Sequence, residues 1–325
     1  MHEPTYRQAL SSAWQLVWRH KSLWILGLLA IFIGHLGVSN FIGYIWAIAD
    51  RGLQDPAVFS LPQMVINLPE RAWASVALAL WLGGILVTLG VMIVFLGIAA
   101  QGAMIAYAGD WFKRGRANMA KAWQKGVKHF WRVLGVELIE KLLLGALLLL
   151  FGFALRMFLA SGTTMSVVFF TLALALVVFV GLAIVAITIY ALGYIVIEEE
   201  GMVDALMKGA SLFWRHILVS AEVSLILMVV DTVLLPVVGA GVFLAFLPSL
   251  AIWITAGFAN NAALMGIGLI VGLFLWTIFI ILAGAIFNAF ATNAWVYLFM
   301  KMHKEGVASR VLHWFGKAIR RANVG

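Results

Sequence analysis

ALMKGASLFWRH at Ala205–His216 runs directly into a long apolar stretch, and two other segments of the chain do the same: ALSSAWQLVWRH at Ala9–His20 and AWQKGVKHFWRV at Ala122–Val133. In register, the three share a leading alanine (Ala9, Ala122, Ala205) and a small residue at the fifth position (Ala13, Gly126, Gly209). An apolar residue follows at the ninth, and then Trp-Arg. Self-similarity of this kind marks a multiplied structural unit. The unit reads as one short helix lying on a membrane surface, here called an elbow, followed by a helical hairpin through the membrane.

Composition agrees with a bilayer as solvent. The chain is 64% hydrophobic and 11% charged, with a mean hydropathy of +1.04. A soluble domain carries roughly 25% charged residues. There is no cysteine, which excludes disulfides, thiolate chemistry and Cys-bearing metal sites. The first residues, MHEPTYRQALSSAW, lack an apolar core with a cleavage site, so no signal peptide is expected. The net charge of +8 does not imply nucleic acid, because nearly all the basic residues fall at membrane boundaries.

Six spans are expected, at about Leu23–Ala49, Trp73–Tyr107, Val133–Leu159, Met165–Ile197, Ile217–Leu247 and Ala262–Phe299. About 20 apolar residues suffice to cross the hydrocarbon layer, so the longest of these must tilt, break or project beyond it. The second can project at Gln101-Gly102, and the fifth can kink at Pro236. The fold class is thus an all-α integral membrane protein with six transmembrane helices. They form three repeats of interfacial elbow helix plus helical hairpin, in one polytopic domain over residues 1–325. The repeat units cover about 5–108, 115–197 and 201–300, and a C-terminal amphipathic helix covers 308–321.

If each hairpin returns to the side it left, one face collects 18 of the 22 Lys and Arg, against Arg51, Arg71 and Arg156 opposite. Basic residues stay on the cytoplasmic side, so the chain reads as a multi-pass cell-membrane protein with both termini cytoplasmic. Trp14, Trp18, Trp24, Trp111, Trp123, Trp131, Trp214, Trp295 and Trp314 fall near the same boundary, where indole is at home; Trp276 lies deeper. The one sizeable outer loop is Asp50–Arg71.

On the middle elbow, Lys121, Lys125, Lys128 and Arg132 recur at helical spacing opposite Trp123, Val127 and Phe130. Arg19 and Arg215 end the polar faces of the other two. Such helices hold their apolar face in the acyl boundary and their cations among anionic headgroups, at about 1 kcal/mol per cation. They serve lipid recognition or plain anchorage, and the pattern does not choose between these. The acidic run Glu198-Glu199-Glu200 can cap the third elbow or pair with the basic Lys113–Arg132 segment.

Ionisable residues inside spans are functional candidates. Glu137, Glu140 and Lys141 lie early in the third span, and Glu137 and Lys141 have the spacing of a helical ion pair. Glu222 is near the interface. Asp231 is fourteen residues into its span, about 21 Å along the axis, just ahead of Pro236; it must be protonated, paired or beside water. Asn288, Thr292 and Asn293 are possible partners for it. His35 reads as a hydrogen-bonding imidazole, and Gly268 and Gly272 as a small-xxx-small packing pair.

The chain holds no HExxH, GxSxG or P-loop pattern and no His–carboxylate cluster at metal spacing, so neither an enzyme, a cofactor nor a metal is expected. Two readings of function stay open. One is a non-enzymatic protein acting through membrane lipids, chiefly anionic, or through a membrane-protein partner. The other is a transporter or channel for a small solute, proton or lipid, using Asp231.

YALGYIVIEEEGMVDALMKGASLFWRHI at Tyr190–Ile217 resembles a group of poorly characterised prokaryotic membrane-domain families. It is similar to the membrane domain fused to some glycerophosphoryl diester phosphodiesterases. The shared pattern is an apolar span ending in an acidic patch, then Gly, Ala-Leu and an aromatic-basic elbow. The resemblance covers roughly half the chain and implies a polytopic bundle with re-used elbows. It brings no catalytic residues.

Overall fold

The computed structural model describes residues 5–31 and 73–305, and every element among them is helical. In chain order these are α1 (Thr5–Arg19), α2 (Ser22–Ala30), α3 (Trp73–Arg114), α4 (Met119–Lys128) and α5 (Phe130–Ser161). They continue with α6 (Thr164–Ile197), α7 (Met202–Arg215), α8 (Ile217–Phe258) and α9 (Ala262–Glu305). His35, the Asp50–Arg71 loop, the first span beyond Ile31 and the expected helix at 308–321 lie outside the described residues.

The turns follow from their residues. Gly162 closes α5 in the left-handed region (φ 57°), which glycine enters at no steric cost. Thr163 then caps α6 by accepting the Ser166 N–H at 3.3 Å. The result is a two-residue hairpin turn. Asn260 (φ 46°) and Asn261, whose side-chain oxygen accepts the Leu264 N–H at 3.2 Å, do the same between α8 and α9. Asn118 caps α4 through the Lys121 N–H at 3.2 Å.

α5 packs along α6 and α8 along α9, as hairpins. The elbows do not pack on the spans they introduce. α4 lies against α3, α7 against α6, and α1 against α9, which brings the first and last described helices together. α7 meets the first turns of α8 at 91°. That bend occurs at His216, whose N–H still bonds the Leu212 carbonyl at 3.1 Å.

The repeated small residues are the contact residues. Ala9, Ala13, Ala122, Gly126, Ala205 and Gly209 are all buried. A Cβ on Gly126 would overlap the Ala99 carbonyl oxygen and sit 2.7 Å from the Ala103 nitrogen. A Cβ on Gly209 would lie 3.0 Å from both the Ala191 nitrogen and the Ile187 oxygen. Small residues four apart let two helix backbones touch, which is how helices gain dispersion energy in lipid. Gly268 and Gly272 instead make room for side chains of α8, Trp253 at the first and Ser249 and Phe246 at the second, with Ser249 Oγ donating to the Gly268 carbonyl at 2.5 Å.

The buried core sits at the elbow end of the bundle. It contains Leu16, Leu23, Met104, Val133, Tyr190, Ile195, Phe213, Val223, Ala294 and Phe299. Away from that end the helices expose large apolar side chains, with Leu80 at 73%, Phe179 at 74%, Phe243 at 76% and Phe258 at 90%. Leaving such side chains in water forfeits about 1.5–3 kcal/mol each, so the surrounding medium is lipid. Five described helices are long and apolar enough to cross a membrane: Leu80–Arg114, Phe130–Ser161, Thr164–Ile197, Pro236–Phe258 and Ala262–His303. The number rises to six if the bent pair Met202–Arg215 and Ile217–Leu227 is taken as one span. Ile217–Leu227 continues into the rest of α8 without a break. The chain is a multi-pass membrane protein.

Several boundaries differ from the sequence reading: α3 runs on past Tyr107 to Arg114 and α9 past Phe299 to Glu305. The second elbow ends at Lys128, so Trp131-Arg132 begin α5 instead of ending α4. Its last turn holds Gly126 and His129, both weaker helix formers than the leucines, Leu16 and Leu212, that stand where His129 does in the other copies. The fifth span runs on to Phe258 with both Pro236 and Pro248 inside it. Proline is tolerated in membrane helices because neighbouring groups satisfy the freed carbonyl.

Candidate functional site

Polar chemistry gathers where the elbows meet the ends of the spans. Glu198 N–H and Glu200 N–H both bond the Tyr194 carbonyl at 3.2 Å, and Glu199 between them takes a left-handed conformation (φ 59°). This geometry turns three adjacent carboxylates three ways. Glu198 pairs with Lys113 at the end of α3 (3.0 Å), Glu199 with Lys128 at the end of α4 (2.7 Å), and Glu200 with Lys208 on α7. Arg132 Nη1 donates to the Glu199 and Glu200 carbonyl oxygens at 3.3 and 3.2 Å. Lys128 holds the Glu199 carboxyl below its usual range, and Glu200 raises Lys208. Both groups are exposed, so each pair adds little stability. The left-handed conformation of Glu199 costs about 1–3 kcal/mol, and the contacts around it join α3, α4, α5, α6 and α7.

The six headgroup candidates therefore divide. Lys125 lies 3.8 Å from Asp110, and Lys128 and Arg132 engage the acidic run. Arg19 sits 5.8 Å over the Trp111 ring, a contact worth about 0.5–1 kcal/mol. Lys121 is exposed. Arg215 opens onto a pocket of about 470 Å³ lined by Tyr194, Glu198, Glu200, Lys208, Leu212, His216, Met302 and His303.

At the junctions, His20 stacks edgewise on Trp111 (4.5 Å) and Tyr107 (5.7 Å). Burial lowers its pKa, with Arg19 adding to the effect. His129 is 2% exposed and is also pushed down, first by burial and then by Lys128.

Inside the bundle, Lys141 lies 3.3 Å from Glu137 and 3.2 Å from Glu140, so the pair expected four residues apart is present and Glu140 joins it. Gln101 of α3 donates to Glu137 Oε1 at 2.6 Å. Its role as partner went unread; the signal was a lone amide in an apolar span. Glu222 is half-buried in the second turn of α8. Asp231 is on α8, but its side chain lies outside the described residues. Asn288 donates to the Gly27 carbonyl at 3.3 Å and Asn293 to that of Ala289 at 2.7 Å. Among the described residues no group of three His, Asp or Glu could hold a metal ion.

Comparison with known protein families, with curated proteins and with solved structures found no match for this chain.

Proposed function

We propose that this chain is a non-enzymatic protein of the cell membrane that works through contact with lipids, chiefly anionic ones, and with a membrane-protein partner. The observation that carries the proposal is the three-faced elbow. On α7, Ala205, Gly209, Leu212 and Phe213 are buried against the bundle, Val203, Met207 and Trp214 form an exposed apolar stripe, and Asp204, Lys208, Ser211 and Arg215 form an exposed polar one. A helix with protein on one side, an apolar stripe on the second and charge on the third is suited to the headgroup boundary. α1 has the same division: Ala9, Ala13 and Leu16 are buried, Trp14 and Trp18 are exposed and apolar, and Arg7, Ser11, Gln15 and Arg19 are exposed and polar.

The elbows belong to three repeats of elbow plus hairpin, at about 5–108, 115–197 and 201–300. The contacts of α4 on α3, α7 on α6 and α1 on α9 support a ring in which each elbow docks on the last span of the preceding unit. The charge bias of the sequence supports an arrangement with the elbows and both termini at the cytoplasmic leaflet. The resemblance of Tyr190–Ile217 to the membrane domain of some phosphodiesterases adds a glycerophospholipid context by analogy.

The test is mass spectrometry of lipid retained by the pure protein. Anionic phospholipid should be enriched over its share in the host membrane, and Lys121→Gln should reduce that enrichment in part. Retained lipid that matches the host membrane in composition would overturn the reading.

A further inference from the structure

The Trp-Arg arginines of the three elbows meet different surroundings. Arg19 lies over Trp111, near the end of α3. Arg132 donates to the carbonyls of Glu199 and Glu200, just past the end of α6. Each thus reaches the far end of the hairpin that its own elbow introduces. Arg215 is placed correspondingly, beside Met302 and His303 near the end of α9. Among the described residues, however, no hydrogen bond, ion pair or ring contact engages it.

The pocket around Arg215 is equipped for a phosphate. Among the described residues its two carboxylates are answered, Glu198 by Lys113 and Glu200 by Lys208, which leaves the Arg215 guanidinium. Arg presents a rigid fork of N–H donors that matches an oxyanion bidentately. Tyr194 Oη stands 3.3 Å from His303 Nδ1; when the tyrosine donates, His303 carries its hydrogen on Nε2 and can donate it onward. His303 is held flat against Phe299, with ring centroids 5.8 Å apart and planes 8° apart. Leu212 and Met302 add an apolar wall. The apolar stripe of Val203, Met207 and Trp214 on the same elbow sets this pocket at the depth of lipid headgroups.

We infer that the pocket bounded by α6, α7 and α9 binds the phosphate of an anionic phospholipid, with Arg215 as its principal ligand and His303 as a second donor. The inference rests on the elbows lying in the headgroup layer. It names one saturable site among the general lipid contacts.

The experiment is a titration of full-length protein in detergent with phosphatidylglycerol, read by native mass spectrometry, for wild type, Arg215→Gln, Arg215→Lys and Arg156→Gln. Wild type should take up one lipid ahead of all others. Arg215→Gln should weaken that first event at least tenfold, Arg215→Lys should weaken it less, and Arg156→Gln, an exposed arginine near the far end of α5, should leave it unchanged. A first binding event of wild-type affinity in Arg215→Gln overturns the pocket while leaving general lipid contact intact. If wild type itself shows no preferred first lipid, the pocket is overturned, while general lipid contact is judged separately by the composition of the lipid retained from the host membrane. An inorganic phosphate arm separates the sources: release of the lipid by millimolar phosphate would make the site one for a soluble phosphate and overturn the lipid assignment. Unaltered melting of Arg215→Gln, expected for an exposed side chain with no hydrogen bond or ion pair among the described residues, shows that any loss is one of binding.

Discussion

Placing a methyl group on Gly126 tests how the elbows are held. A Cβ there overlaps the Ala99 carbonyl oxygen and lies 2.7 Å from the Ala103 nitrogen, both backbone atoms of α3 that cannot rotate away. α4 must therefore back off by roughly 1 Å, and a gap of that size forfeits a quarter to a half of each dispersion contact along the interface. Overpacking of this kind costs about 1–3 kcal/mol. Alanine returns roughly 0.5–1 kcal/mol through helix propensity. Gly126→Ala should therefore destabilise by about 1–2 kcal/mol. Gly209 is less tight, with its nearest backbone atoms at 3.0 Å, so Gly209→Ala should come out near zero. Gly145 has nothing within 4 Å, and Gly145→Ala should stabilise by the propensity term alone, about 0.5–1 kcal/mol. Thermal unfolding in one detergent, with the three variants side by side, reads the order directly. Gly126→Ala melting with Gly145→Ala, at or above wild type, would refute the close docking of α4 on α3.

Lys141→Met leaves Glu137 and Glu140 buried without their cation, and truncating one partner of a buried pair costs about 3–5 kcal/mol, less here because Lys141 is one-third exposed. Melting should drop, and adding Glu137→Gln to Lys141→Met should recover part of the loss; no recovery would mean the cluster is not electrostatically coupled. His129 is held neutral by burial, with Lys128, Arg132 and Lys125 also opposing its proton and Glu199 favouring it. Its folded pKa lies below the unfolded value of 6.5, so its contribution is complete above pH 6.5 and is lost as pH falls through the folded value. His129→Gln should flatten the fall in melting temperature below pH 6.5, and an unchanged slope would remove His129 from that account. In proteoliposomes, proton flux should stay at the empty-vesicle baseline for wild type and for Asp231→Asn alike. A wild-type flux abolished by Asp231→Asn would replace lipid contact with transport.

The sequence made the helices readable wherever the signal is local. The apolar runs of α5, α6 and α9 and the charge of the elbows all lie within a turn or two of the residues that produce them. The small residues at Ala122, Gly126, Ala205 and Gly209 were visible as a register, but their purpose was not, since Ala99 and Ala191 lie on other helices. Contacts between distant segments leave no periodicity. The Gln101–Glu137 bond joins residues 36 apart, and Lys301 reaches Gln8 across 293 positions. The same reason explains the basic stripe of the middle elbow: helical spacing showed Lys125, Lys128 and Arg132 on one face, yet their carboxylate and carbonyl partners arrive from α3 and the α6–α7 turn. The pocket at Arg215 needs three helices at once and could only be read from the fold.

The central claim, three elbows on one leaflet with hairpins crossing between them, is tested most directly by cysteine accessibility, since the chain has no cysteine of its own. Single cysteines at Arg116, Asp55, Ser161, Asn260 and Gly325 would be labelled with a membrane-impermeant maleimide in intact and opened cells. The account predicts that Asp55, Ser161 and Asn260 react from outside and that Arg116 and Gly325 react only once the cells are opened. Arg116 labelling from the same side as Asp55 or Asn260 would contradict it.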